Sequence, residues 1–190
     1  RVLQSKLELG RRLGVSRGLD LGSATDRGDP LASRPFASSQ FTKFNASVQV
    51  TAQLSQQLRL RFDSASQLSA NPLLAPEEFA LGGNRIGRAF DFNEVTGDHG
   101  VGAMVELGYR PVGLALPVKN LELFTFVDGG GAFRKRSSPG LEKELWLAGA
   151  GAGARFSAFG FHWSSEVGVP IALDGADRGV RAFFSTTKVF

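Results

Sequence analysis

The sequence predicts an all-β protein: a transmembrane, antiparallel, up-and-down β-barrel of about eight strands, forming one domain over residues 1–190. Three observations predict it. Apolar and polar residues alternate with period two along most of the chain, short connections alternate with long ones, and the oily faces end in aromatic residues. Composition agrees, with 24 glycines and 16 phenylalanines against one tyrosine and one methionine. No stretch approaches the ~18 to 20 apolar residues of a membrane helix.

The strands follow in order. The first is read over Leu3 to Val15. The second, Phe41 to Leu54, sets Phe44, Ala46, Val48, Val50 and Ala52 against Lys43, Asn45, Ser47, Gln49 and Thr51, one oily and one wet face. Leu58 to Leu68 repeats the pattern, with Leu58, Leu60 and Phe62 between Arg59, Arg61 and Asp63. Val101 to Arg110 alternates Val101, Ala103, Val105, Leu107 and Tyr109 with Gly102, Met104, Glu106, Gly108 and Arg110. In Leu121 to Phe133 the residues Leu121, Leu123, Thr125 and Val127 face lipid, so Glu122, Phe124, Phe126 and Asp128 face the lumen. Glu144 to Phe156 places Trp146 and Phe156 at the ends of a face of small alanines. Its other face carries Gly149, Gly151 and Gly153, where a loop backbone can come close. Phe159 to Ile171 and Val180 to Phe190 complete the set.

Only Ser55 to Gln57 join strands two and three, and only Ser157 and Ala158 join six and seven, whereas Ser16 to Gln40 and Ser69 to Gly100 are long. Short turns on one side and long loops on the other are the habit of outer-membrane barrels. A soluble β-sandwich or a lipocalin-like barrel also alternates, with its oily face inward. Strands this long exceed the ~5 to 6 residues usual in a sandwich, and aromatics at the ends of the oily faces suit a bilayer.

Charge and motifs exclude several functions. The net charge is +4, but lysine and arginine are scattered among the acids, so nucleic acid is not the expected partner. There is no cysteine, hence no disulfide framework and no thiolate metal site. The two histidines, His99 and His162, lie far apart and outside any metal-ligand spacing; His162 reads as a polar group of the lumen wall. No nucleophile elbow or phosphate loop is present, so no catalytic residue, metal or cofactor is expected. RVLQSKLELG lacks the apolar core of a signal peptide.

The stretch from residue 69 to 100 breaks the alternation without becoming a solvated linker. Within it Phe79, Leu81, Gly82 and Gly83 spell F-x-L-G-G, Gly87, Arg88, Ala89 and Phe90 form the tip, and Gly97, Asp98 and Gly100 spell G-D-x-G. Further on, LELFTFVDGGGAF carries F-x-D-x-G as Phe126, Asp128 and Gly130. Taken together, these residues resemble the C-terminal barrel region of two-partner secretion (haemolysin-activator) transporters, within the BamA-type outer-membrane superfamily. That family has V-R-G-Y at the tip of its sixth loop; here Arg88 is kept and Phe90 stands for the tyrosine, while Gly87 and Ala89 depart from the pattern. The resemblance covers about Leu68 to Phe190. It implies that the loop folds back toward the lumen and that Arg88 docks against Asp128. It also implies that a terminal aromatic, Phe190, is read by the outer-membrane assembly machinery.

Two function classes follow for a bacterial outer-membrane protein of this kind. One is a protein-translocating or assembling barrel whose loop is a plug latched by the Arg–Asp contact, with a secreted protein as client. The other is a structural or interaction barrel that has lost transport, to which the lack of a periplasmic POTRA domain within residues 1–190 points. An eight-stranded interior already filled by side chains has little room for a loop. Either a small barrel closes on itself with the loop outside, or eight strands form half of a larger barrel, completed by missing strands or as a homodimer joined along its first and last strands.

Overall fold

The computed structural model describes residues 6–22, 24–113, 117–135, 144–173 and 179–188. Ten strands run in chain order through the described residues. They are β1 (Leu7–Arg17), β2 (Thr42–Gln53), β3 (Leu58–Ser69), β4 (Phe79–Leu81), β5 (Val95–Gly97), β6 (His99–Tyr109), β7 (Lys119–Phe133), β8 (Glu144–Ala158), β9 (Phe161–Leu173) and β10 (Arg181–Lys188). Eight of them make one antiparallel meander, β1-β2-β3-β6-β7-β8-β9-β10, and β4 and β5 make a separate hairpin inside the long connection between β3 and β6. All eight strands expected from the alternation are present, each within a few residues. The hairpin was not expected.

The closed eight-stranded barrel is corrected by the sheet order: β1 and β10 are its two edges and do not pair with each other. Alternation specifies which face a residue occupies, not whether the first strand meets the last, and the face that would line a small closed barrel is occupied by the loop.

Register sorts the side chains cleanly. Leu9, Val50, Phe62, Val105, Val127, Ala150 and Val169 lie on one cross-strand row. Gln49, Asp63, Met104, Asp128 and Gly149 lie on the adjacent row, facing the other way. The first row is exposed or half-exposed and apolar, while Asp63, Met104 and Asp128 are buried. A slip of one residue in any pairing would turn an oily face inward and a charged face outward, so the register is strongly specified.

Both ends of the outer face carry aromatics. Phe133 packs edge-on against Trp146 at the long-loop end, 5.4 Å between ring centroids. At the short-turn end Trp163 stacks on Phe156 at 6.3 Å and meets Phe161 and Phe184 at 6.0 and 5.6 Å. These are the two interfacial girdles of a membrane barrel. A charge placed between them is expected to be costly: Ala150→Arg should destabilise by ~2–4 kcal/mol near the bilayer midplane, measured by urea unfolding in phospholipid vesicles, whereas an unchanged midpoint would mean that this face is not in lipid.

Two local details depart from the alternation. The β8–β9 turn is Phe159–Gly160, both with positive φ (54° and 77°), a two-residue hairpin turn whose twist matches its strands. It lies two residues beyond the expected Ser157–Ala158, because Gly160 supplies the left-handed conformation that fixes it. The β8–β9 register also shifts between Ala148 and Gly149, opposite Pro170, a residue that cannot donate to the ladder.

Candidate functional site

The loop between β3 and β6 is folded, not slack. After a single 3-10 turn at Ala75–Glu77 the chain forms the β4–β5 hairpin, pairing Phe79 with Gly97 and Leu81 with Val95. Between the hairpin strands, Gly82 N–H donates to the Ile86 carbonyl at 3.0 Å, Gly83 N–H to Phe90 at 3.2 Å, and Phe90 N–H to Gly87 at 3.0 Å. Gly82, Gly83 and Gly87 all have positive φ (108°, 95° and 87°), so the F-x-L-G-G approach and the first tip residue serve these turns. Leu81, Ile86, Ala89, Phe90 and Val95 are buried against Met104, Ala132 and Leu147 of the sheet. This small core presses the loop onto the inner face.

At the tip, Arg88 is 3% exposed. Its backbone N–H donates to Asp128 Oδ2 at 3.0 Å, and its Nε lies 3.5 Å from the same oxygen. Its Nη1 donates to Glu106 Oε2 at 3.0 Å and to Glu166 Oε2 at 3.1 Å. The guanidinium carbon sits 3.5 Å from the centre of the Phe126 ring, and Nε and Nη2 make no hydrogen bond. The planar cation is therefore held on its edge by carboxylates and on its face by a π cloud. Asp128 mainly holds loop backbone; Glu106 and Glu166 hold the charge. Alternation puts Glu106 on the polar face of its strand, but no local pattern pairs it or Glu166 with Arg88.

The pairing continues toward the short-turn side. Arg155 makes a forked contact with Glu106 at 2.7 and 2.8 Å, reaches Glu122 at 3.3 Å and covers the Phe124 ring at 3.8 Å. Glu122 also accepts from Arg110 Nε at 2.9 Å and from Arg59. Four arginines, Arg59, Arg88, Arg110 and Arg155, thus face four carboxylates, Glu106, Glu122, Asp128 and Glu166. A neutral, mutually hydrogen-bonded ladder is tolerated where a single buried charge is not. Glu106, Glu122 and Glu166 each accept from a guanidinium, Asp128 accepts from the Arg88 backbone, and among the described residues no group of side chains is arranged to hold a metal ion.

The glycines of the wall have distinct duties. A Cβ on Gly149 would stand 2.6 Å from the Ala89 Cβ, so this position takes the tip, whereas Gly151 and Gly153 make room for the Phe126 and Phe124 rings rather than for loop backbone. The backbone contact falls instead on Gly168 of β9, whose Cβ would lie 2.8 Å from the Arg88 carbonyl oxygen. Gly168 is consequently no neutral lumen position. Gly168→Val is expected to push the tip off the sheet, seen as faster proteolysis between Glu77 and Gly100; cleavage at the wild-type rate would mean that the tip does not rest there. Gly130 of F-x-D-x-G lies beneath Leu81, and Gly97 against the Phe133 backbone.

Asp98 anchors the root of the loop. It is fully buried, and its two oxygens accept from Arg34 Nη1 and Nη2 (2.8 and 3.3 Å), Leu73 N–H (2.6 Å) and Lys135 N–H (2.7 Å). Arg34 also reaches Glu78 at 2.6 Å. Three connections, β1–β2, β3–β6 and β7–β8, are thereby joined at one carboxylate. Arg34 escaped the sequence reading because it lies 64 residues from Asp98 in a segment without periodicity. His162 lies on the inner face of β9, its Nδ1 2.9 Å from Ser157 Oγ. Phe190 lies outside the described residues.

Comparison with known proteins agrees with this architecture. Residues 1–156 match the family model of the haemolysin secretion/activation proteins ShlB/FhaC/HecB. CdiB from Escherichia coli superposes with a TM-score of 0.72 at 20% identity, over 98% of this chain and 34% of that one. CdiB from Acinetobacter baumannii does so with 0.63 at 22% identity, over 77% of this chain and 27% of that one. The chain thus spans about a third of the length of these solved relatives. No curated protein matches it in sequence. The family is one of secretion proteins rather than an enzyme class, and its members are outer-membrane transporters of Gram-negative bacteria. With most of its length matched by the family model, the chain belongs to the ShlB/FhaC/HecB family of two-partner secretion proteins, and its place is the bacterial outer membrane.

Proposed function

We propose that this chain is part of the pore of a two-partner secretion transporter, and that its β3–β6 loop is a plug latched in the lumen, displaced when a secreted partner protein passes. The observation that carries this reading is the Arg88 cluster, which fixes a loop tip against the inner wall through groups that would otherwise be stranded. Charge-paired polar contacts suit a latch that opens, because water can replace them once the tip withdraws. The experiment is a tether. The chain has no cysteine, and Phe92 of the loop meets Phe183 of β10 with ring centroids 6.1 Å apart. Cysteines at both positions of the full-length protein, bridged by a bifunctional reagent, are expected to stop partner secretion, and a cleavable bridge should restore it on reduction. Secretion at the normal rate through the bridged protein would show that the loop need not move. A protein that secretes nothing and conducts no ions, bridged or not, would instead be a structural barrel.

The two free edges, β1 and β10, must be paired in a bilayer, since each unsatisfied backbone group there costs several kcal/mol. Further strands of a longer polypeptide meet that need, in line with the greater length of the solved relatives. A second copy placing its β10 beside β1 is the other arrangement. Cysteines at Leu7 and Phe184 distinguish them, because crosslinks between copies arise only from the seam.

A further inference from the structure

β1 carries a charge in the middle of an outer face that is otherwise oil up to Arg17 at its end. Arg11 pairs with Val48, and cross-strand partners share a face, so Arg11 projects with Leu7, Leu9, Leu13 and Val15 from the side that bears Val50, Phe62 and Val105. It lies five residues from Lys6, which meets Gln53 at the short-turn side, and six from Arg17 at the other end of the strand. At ~3.3 Å rise and ~45° tilt it stands roughly 12 Å inside either boundary, near the middle of the apolar band. An arginine directed at lipid there is strongly unfavourable, and ionisable groups at such depth pair with another charge or face water.

Its described neighbours offer no counter-charge. Val48 is directly opposite, Ala46 and Val50 are the diagonal positions on β2, and Leu9 and Leu13 flank it on its own strand. The remaining side is the unpaired edge of β1. β10 cannot supply the charge there. Residues sharing its outer face are Ala182, Phe184, Thr186 and Lys188, which bring no carboxylate and one more cation.

We propose that the strand pairing with the free edge of β1 carries an aspartate or glutamate on its outward face, opposite Arg11 or at a diagonal position, and that this ion pair within the bilayer fixes the register of that seam. The pair selects against β10 of a second copy. A backbone edge alone accepts any strand in any register, and a desolvated counter-charge is a device that selects one. The inference rests on the membrane location of the sheet, not on transport.

The sign of one substitution tests it. In the full-length protein folded into phosphatidylcholine vesicles, Arg11→Leu is expected to lower the folded-to-unfolded ratio at a fixed urea concentration by tenfold or more, while Arg11→Lys, which keeps the charge, should lose less. If Arg11 merely reached lipid headgroups, Arg11→Leu would leave that ratio unchanged or raise it, and the proposal would fall. Should Arg11→Leu not assemble, a photo-crosslinking amino acid at Leu13, on the same face, reads the neighbour directly in otherwise native protein. Capture of a strand with an outward carboxylate at the level of Arg11 supports the pair. Capture of residues 180–188 of another copy, of a strand without such a carboxylate, or of lipid alone overturns it.

Discussion

Arg88→Ala is expected to free the loop tip from the sheet and to destabilise its docking by about 3–5 kcal/mol, the range for removing one partner of a buried charge cluster. The size follows from what is left behind. Glu106 would keep its forked contact with Arg155, but Glu166 and the side of Asp128 that faces Nε would lose their cation. The ring of Phe126 would lose the group that covers it. Limited proteolysis of the detergent-solubilised protein should show faster cleavage between Glu77 and Gly100. Double-mutant cycles add a sharper expectation. Asp128 holds the Arg88 backbone N–H, which survives in alanine, so the coupling of the Arg88 side chain to Glu106 and Glu166 should exceed its coupling to Asp128. Additivity within ~0.3–0.5 kcal/mol at all three carboxylates would sink the account of the cluster. Arg88→Lys should rescue only part, because a compact ammonium cannot lie flat on Phe126 while bridging two glutamates.

What could be read in the sequence was whatever depends on period two. Leu123, Thr125 and Val127 against Phe124, Phe126 and Asp128 assign two faces by parity alone, and the structure exposes the first set and buries the second. Three kinds of feature lay beyond that signal. The β4–β5 strands are three residues long, too short for alternation to register. Contacts between distant segments, such as Arg34 with Asp98 or Arg88 with Glu166, are set by how connections fold over the sheet end, which no local pattern encodes. Arg11 was not singled out, because its meaning depends on β1 being an edge, a property of the sheet rather than of the strand. The glycine run was legible only in part for a related reason: Gly149 takes the loop tip, but Gly151 and Gly153 seat the Phe126 and Phe124 rings, and the loop backbone itself rests on Gly168.

Asp98→Asn is the second large effect expected, and it should be nearly as damaging as Asp98→Ala. The carboxylate receives four donors on two oxygens, two from the Arg34 guanidinium and one each from the Leu73 and Lys135 amides. An asparagine of the same shape turns one of those oxygens into an NH2 group that meets a donor instead of accepting from it. One amide is then buried without a partner and the Arg34 fork loses an arm. Hydrogen bonds to a charged group are worth ~1.5–3 kcal/mol each. Arg34 keeps Glu78, so its charge is not wholly stranded, and the expected net loss is about 3–5 kcal/mol. Amide hydrogen exchange locates the effect: Leu73 and Lys135 should both lose protection in Asp98→Ala, and the one facing the new NH2 group in Asp98→Asn, together with easier cleavage within residues 18–41. Unchanged protection at both amides would mean that Asp98 does not join these connections. The tip and the root of the loop have separate carboxylates, so combining Asp98→Ala with Arg88→Ala should give nearly the sum of the two losses, whereas strong coupling would mean that the loop docks as one rigid unit hinged at neither end.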